Sequence, residues 1–144
     1  MKKIKRKIFV CCTEQSGDNI SANILNKINN RNDYLIDGVG GFKTKKYLRK
    51  KYFDVSDFKS IGIAEVLFSI FIYLNIIKYL AKIIINNNYD LVITIDSPDF
   101  NYQLAKKLRK NKFKNRIIHI VSPSVWAWRK GRAKKFSIIY DEIF

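Results

Sequence analysis

The sequence predicts an α/β fold, a parallel sheet with helices on both faces. Three observations predict it. Short β-branched or aromatic runs alternate with stretches of helical periodicity, as in successive βα units. The run Tyr89 to Ile95 is almost continuously apolar, as suits a central parallel strand covered on both sides. The runs ending at Cys12, Ile95 and Val121 each give way abruptly to loop-forming residues.

In chain order, Met1 to Lys7 is a basic tail. The apolar run after it, Ile8 to Cys12, is too short for the core of a signal peptide and reads as the first strand. Thr13 to Asp18 is the turn that follows. Ile20, Ala22, Ile24, Leu25 and Ile28 then recur at helical spacing, giving a helix to about Asn30. Tyr34 to Val39 is the second strand, and Gly38, Gly40 and Gly41 end it with residues that tolerate positive φ. A lone Gly-x-Gly-Gly carries little as a dinucleotide signal. Phe42 to Tyr52 is expected to be a basic helix, Phe53 to Val55 a short strand, and Ile61 to Asn86 one long apolar helix. After the strand ending at Ile95, Ser97 is expected to cap the next helix, with Pro98 at its first position. That helix carries Phe100, Leu104 and Leu108 and ends in a basic run through Arg116. Ile117 to Val121 is a strand, Arg129 to about Ser137 a helix, and Ile138 to Phe144 a further strand. No repeat or linker divides the 144 residues, so the chain reads as one domain.

The formal charge is +16 with 47% hydrophobic residues, which excludes disorder and favours anionic partners such as phosphorylated substrates, anionic lipid or nucleic acid. Part of the lysine excess reads as no more than a solvated face. The only cysteines, Cys11 and Cys12, are adjacent and cannot staple a fold, which fits a reducing, cytoplasmic compartment. His119 is the sole histidine and lies on an apolar strand, where a hydrogen-bonded core role is commoner than ligation.

Chemistry concentrates in three loops, Glu14 to Asp18, Asp96 to Asn101 and Ser122 to Arg129. Each follows the carboxyl end of a strand, so a parallel sheet gathers them on one rim. Asp96 stands where a strand meets a turn, a place suited to a general base. Ser16 and Gly17 precede a helix and can offer backbone N–H groups to an anion. Asp18 is open to two readings, a cap for that helix or a site residue, and Asp99 reads as a complement to its helix dipole. Trp126 and Trp128 make either a lid on the core or a rigid amphipathic wall, with Arg129 available for an anion.

These residues also carry a resemblance. Thr13-Glu14-Gln15-Ser16-Gly17-Asp18, Ile61-Gly62-Ile63-Ala64-Glu65-Val66-Leu67, Asp96-Ser97-Pro98-Asp99-Phe100-Asn101 and Ser122 to Arg129 resemble, in order, the motifs of lipid-A-disaccharide synthase. The likeness runs from Ile8 to the end, and the last two motifs are specific. Thr13 departs from the family, which usually has Gly there. The resemblance implies the N-terminal, acceptor-binding, Rossmann-like domain of a two-domain (GT-B type) inverting glycosyltransferase, with the nucleotide-sugar domain outside this chain, in a missing C-terminal half. It implies transfer of 2,3-diacylglucosamine from its UDP derivative to 2,3-diacylglucosamine 1-phosphate, releasing UDP, with no cofactor and no metal. By the same resemblance Asp96 is the expected base. Glu14, Ser16, Gly17, Asp18, Asn101, Ser122, Trp126, Trp128 and Arg129 are the expected substrate-binding set.

The competing expectation is a basic α/β domain that binds nucleic acid or anionic lipid without catalysis. A nucleic-acid platform interleaves aromatics with its basic run, and only Phe113 does so between Lys106 and Arg116. For the apolar segment, a charge-free run of ~12 residues covers ~18 Å at ~1.5 Å per residue, short of a ~30 Å hydrocarbon core. Val66, Leu67, Phe68, Ile70, Phe71 and Leu74 are therefore expected to dip into the cytoplasmic leaflet of the inner membrane as a peripheral contact. The bland alternative is a buried helix, with extension through Ile83 to Ile85 leaving a span conceivable.

Overall fold

The computed structural model describes residues 5–29, 33–62, 66–121 and 130–144. The elements are β1 (Arg6–Cys12), α1 (Gln15–Asn29), β2 (Tyr34–Val39), α2 (Phe42–Lys45), β3 (Lys50–Phe53), α3 (Val55–Gly62), α4 (Val66–Asn86), β4 (Leu91–Ile95), α5 (Pro98–Lys110), β5 (Arg116–Ile120), α6 (Lys130–Ile139) and β6 (Glu142–Ile143). The six strands form one sheet in the order β3-β2-β1-β4-β5-β6. All five pairings are parallel. This is a Rossmann-like sheet, as expected. Its strand order reverses between β1 and β4, the place where open α/β sheets leave a crevice beyond the strand ends.

Strand alternation splits the core in two. Ile8, Val10 and Cys12 of β1 face Leu25 of α1, together with Ile36, Ile93 and Ile95. Phe9 and Cys11 point the other way, among Leu80, Ala81 and Ile84 of α4 and Leu104 and Leu108 of α5. This period of two is what a strand buried on both faces requires. Both cysteines are free and buried. Burial holds the Cys11 thiol well above its usual range, so it behaves as an apolar filler.

Five expectations need correction. The basic segment after Gly41 gives only the short helix α2, and the strand falls at Lys50–Phe53 rather than at 53–55. Lysines suit β3 because it is an edge strand, where charge blocks further pairing. The long apolar helix is not one piece from Ile61: α3 ends at Gly62 and α4 starts at Val66, with Ser69 Oγ donating to Ile61 O at 2.7 Å. Residues Ile138 and Ile139 belong to α6, which leaves β6 only Glu142 and Ile143. The glycines after β2 do not serve by positive φ, since no described glycine has it. Gly38 is required because a Cβ there would collide with the Val10 backbone, and Gly41 because one would lie 2.7 Å from Asp18 Oδ2.

Among the described residues, Leu67–Asn86 is long and apolar enough to cross a membrane by length and composition. Its second half is committed to the core through Ile76, Ile77, Leu80, Ala81 and Ile84. Burying each Ile or Leu among them stabilises by about 1.5–3 kcal/mol, so this half stays with the sheet. The first half is different. Leu67 is 84% exposed, Phe68 61% and Phe71 63%, and Ile70 and Leu74 are also exposed.

Candidate functional site

The loops after β1 and β4 meet at the reversal point of the sheet. Parallel register places Cys12 opposite Ile95, so the next residues of both strands emerge side by side. Gly17 permits the close approach: a Cβ there would sit 3.2 Å from Ile95 O and 3.3 Å from Asp96 Cβ. Ser16 then donates its hydroxyl to Oδ2 of Asp96, while Asp96 Oδ1 accepts the Ser97 N–H at 2.9 Å. A carboxylate has about four lone-pair positions, so these two bonds fix its orientation and leave capacity for a further proton.

The backbone here is held in an uncommon conformation. Asp96 and Ser97 have φ of 56° and 42°. Left-handed residues other than glycine cost free energy and cluster at functional sites. Asn101 keeps the turn in place, its Nδ2 donating to Asp96 O at 2.7 Å and to Ile95 O at 3.3 Å. Asn101 is fully buried, and through these bonds it positions Asp96. Ser97 occupies the expected cap position of α5, but its side chain does not cap. It accepts from Thr13 Oγ1 at 2.7 Å and donates to Glu14 Oε1 at 2.9 Å. The hydroxyl that departs from the expected glycine at position 13 thus joins a relay that orients Glu14.

Asp18, open to two readings in the sequence, holds the turn after β2. Its buried carboxylate accepts the backbone N–H groups of Gly41, Lys43 and Thr44 at 2.9, 3.0 and 3.0 Å. Burial pushes this acid up, but the hydrogen bonds from Thr44, Lys43 and Gly41 outweigh it and hold the carboxyl below its usual range. His119 is buried as expected, with Nδ1 2.9 Å from Thr94 Oγ1. Burial pushes its imidazole down to about 4, against the opposing effects of the Val121 backbone and the Asp96 charge. It is therefore neutral near pH 7.

Beside these loops lies a cavity of about 1180 Å³. Thr13, Glu14, Ser16, Ser97 and Asp99 line its polar side, and Phe58, Tyr73, Leu74, Ile77 and Phe100 line its apolar side. Two carboxylates and three hydroxyls at this end stand out in a chain of charge +16. These groups suit the hydroxyls of a polyol that gives up a proton, and Lys59, which also lines the cavity, offers a cation to an anionic group. Among the described residues no group of three or more His, Cys, Asp or Glu is placed to hold a metal ion.

The expected rim is thus assembled in part. Glu14 and Ser16 line the cavity, while Asp96 and Gly17 adjoin it through Ser16, whose hydroxyl meets Asp96. Ser122, Trp126, Trp128 and Arg129 lie outside the described residues. The side chain of Val66 lies outside them too, although its backbone begins α4. The apolar wall built by Phe58 and Tyr73 had no counterpart in the sequence reading. Its signal, an aromatic in α3 aligned with one in α4, needs the fold to be seen. The basic run Lys106 to Arg116 offers no stacking platform, because Phe113 is buried. Arg109 is occupied by Ile139 O, Phe113 O, Asn115 O and Asp141.

Comparison with known proteins bears on this site. Residues 8–144 match the lipid-A-disaccharide synthetase family. Lipid-A-disaccharide synthase from Rickettsia canadensis is 41% identical over 143 residues, covering 96% of this chain and 36% of the relative. The Rickettsia akari enzyme is 39% identical over 139 residues, with the same two coverages. The chain therefore spans little more than a third of the length of the curated relatives it matches. Among solved structures, a Listeria monocytogenes protein assigned as a UDP-N-acetylglucosamine 2-epimerase superposes with a TM-score of 0.64. Its identity is 11%, over 100% of this chain and 39% of that one, a likeness of fold.

Proposed function

The chain belongs to the lipid-A-disaccharide synthase family, and from that premise we propose that residues 1–144 form the acceptor-binding domain of the glycosyltransferase. The reaction is transfer of 2,3-diacylglucosamine from its UDP derivative to the 6-hydroxyl of 2,3-diacylglucosamine 1-phosphate. The acceptor oxygen attacks the anomeric carbon of the donor. The bond from that carbon to the diphosphate breaks, UDP leaves, and the configuration inverts.

The observation that carries this reading is the placement of Asp96. Its carboxylate stands at the reversal point of the sheet, aimed by Ser16 and by the Ser97 N–H, beside a cavity with one polar and one apolar side. In-line attack needs the acceptor hydroxyl to lose its proton as the new bond forms. Asp96 takes that proton as general base. Glu14, held by Ser97, accepts a hydrogen bond from a second sugar hydroxyl and fixes the ring. Asn101 and Thr13 are positioning residues that act through Asp96 and Ser97.

We further propose that the domain works at the cytoplasmic face of the inner membrane. The exposed half of α4 supplies the support, with Leu67, Phe68, Ile70, Phe71 and Leu74 on its outer side. A peripheral helix of this kind needs apolar contact plus attraction of nearby lysines to anionic headgroups. The donor nucleotide is proposed to bind outside these residues. Calorimetric titration of the 144-residue chain with UDP tests that division. The expected result is no binding at micromolar concentrations; tight, specific UDP binding places the donor site within this chain and overturns the reading.

A further inference from the structure

The cavity is larger than the reacting sugar requires. Its ~1180 Å³ exceeds the ~300–1,000 Å³ of ordinary small-molecule sites. Phe58, Tyr73 and Phe100 form a continuous aromatic wall. Phe58 stacks on Tyr73 at 6.1 Å, and Phe100 meets both edge-on at 5.1 and 5.8 Å. Tyr73 Oη also donates to Phe58 O at 3.4 Å, tying α4 to α3. The wall is therefore preformed and needs no ligand to assemble it. At its outer end stand Ile70 and Leu74, which are also part of the exposed apolar side of α4. One surface thus runs from the Glu14 and Ser97 hydrogen-bonding groups, along the aromatics, to the outward face of the helix. A sugar by itself offers hydroxyls to only the first part and leaves the aromatic wall wet.

We infer that the space between α3, α4 and α5 is an acyl-chain groove. One acyl chain of a glycolipid lies along Phe58, Tyr73 and Phe100 while its sugar stays at the polar end, and the tail leaves past Ile70 and Leu74. The occupant is a chain carried by the sugar, not a free fatty acid, because the groove is continuous with groups suited to several hydroxyls, which a fatty acid lacks. This assignment rests on the reading of the cavity as the acceptor site. It adds the place and the selectivity of the chain.

The test uses the 144-residue protein with octyl and decyl β-D-glucoside below their micellar concentrations, and with glucose and decanoate, in calorimetric titrations. Burying a methylene strengthens binding roughly fourfold, so decyl glucoside, two methylenes longer, should bind about 15-fold more tightly than octyl glucoside. Glucose should give no measurable heat, and decanoate should bind at least tenfold more weakly than decyl glucoside. Ile77→Trp fills the groove from its floor and Gln103→Trp from the exposed side of α5. Either variant, shown folded by its thermal transition, should abolish the chain-length dependence. Gln103 is exposed, so that variant decides the matter if Ile77→Trp does not fold. Equal affinities for the two glucosides, or wild-type behaviour of the folded Gln103→Trp variant, overturn the groove. Decanoate binding as tightly as decyl glucoside overturns the sugar-linked occupant. A flat chain-length series beside a crippled Asp96→Asn enzyme removes the groove alone and leaves the acceptor site standing.

Discussion

The hydroxyl of Ser16 donates to the carboxylate of Asp96 across 80 positions of sequence. Nothing local brings the two together. They meet because β1 and β4 are neighbours in the sheet although two strands and four helices separate them in the chain. The contact ties the first turn of α1 to the strained turn after β4. A carboxylate anchored in this way keeps its geometry when a ligand arrives, which is what the proton acceptor proposed for Asp96 needs.

Asp18 holds the turn between β2 and α2, and its loss should be costly. Asp18→Ala leaves three backbone N–H groups without their acceptor. Hydrogen bonds to a charged group contribute about 1.5–3 kcal/mol each and do not add fully, so a loss of about 3 kcal/mol at pH 7 is expected in urea denaturation. The folded carboxyl lies below its ordinary 3.8, so its contribution is complete above that value. It disappears as pH falls through the folded pKa. The difference between wild type and variant should shrink in acid. A pH-independent difference, or one under ~1 kcal/mol, contradicts the assignment.

His119 gives a second pH signature. It is the only histidine, so its imidazole signals in NMR are unambiguous. Burial lowers its pKa from 6.5 to about 4. Between those values the unfolded chain binds a proton that the folded chain refuses, so stability should decline as pH drops from 6.5 towards 4. The signals should stay in the neutral position down to about pH 4. A midpoint near 6.5 in the folded protein shows that the ring is not enclosed as described.

Membrane contact through the first half of α4 is tested by flotation with anionic liposomes. Phe68 and Phe71 are 61% and 63% exposed, so replacing both with Ser removes apolar surface without opening the core. The Phe68→Ser, Phe71→Ser variant should remain folded and lose most of its flotation at high salt, where headgroup attraction is screened. Undiminished flotation of the folded variant rules out apolar insertion.

Much of the fold was legible because its signals are local. Alternation along β1 and the apolar run into Ile95 mark strands wherever they sit. The adjacency of the Ser16 and Asp96 loops followed from the rule that parallel strands share one rim. Other features needed partners that sequence does not show. Asp18 could not be resolved until Gly41, 23 residues on, lay against its carboxylate. Ser97 stands at a helix start yet turns away from it, because its left-handed backbone aims the hydroxyl at Glu14. The helix α3 was missed although its start carries a signal. Asp54 Oδ1 accepts the Ser56 N–H at 3.0 Å, and Asp57 Oδ2 accepts the Asp54 N–H at 2.8 Å, a reciprocal cap. The apolar excess on α4 hid the break before it and the division of that helix into a buried and an exposed half.

The measurement that bears most directly on the central claim is the turnover of Asp96→Asn in the full-length enzyme context, with acceptor affinity measured alongside. Asn keeps the size of the side chain and can still accept from Ser16, but it cannot take the acceptor proton. A positioned base contributes ~10²–10⁴ in rate, so kcat should fall by that factor while acceptor binding and the thermal transition stay near their normal values. Ser16→Ala, which only frees the carboxylate to rotate, should lower kcat by a smaller factor. Near-normal turnover of Asp96→Asn contradicts the account and moves the base elsewhere on the rim.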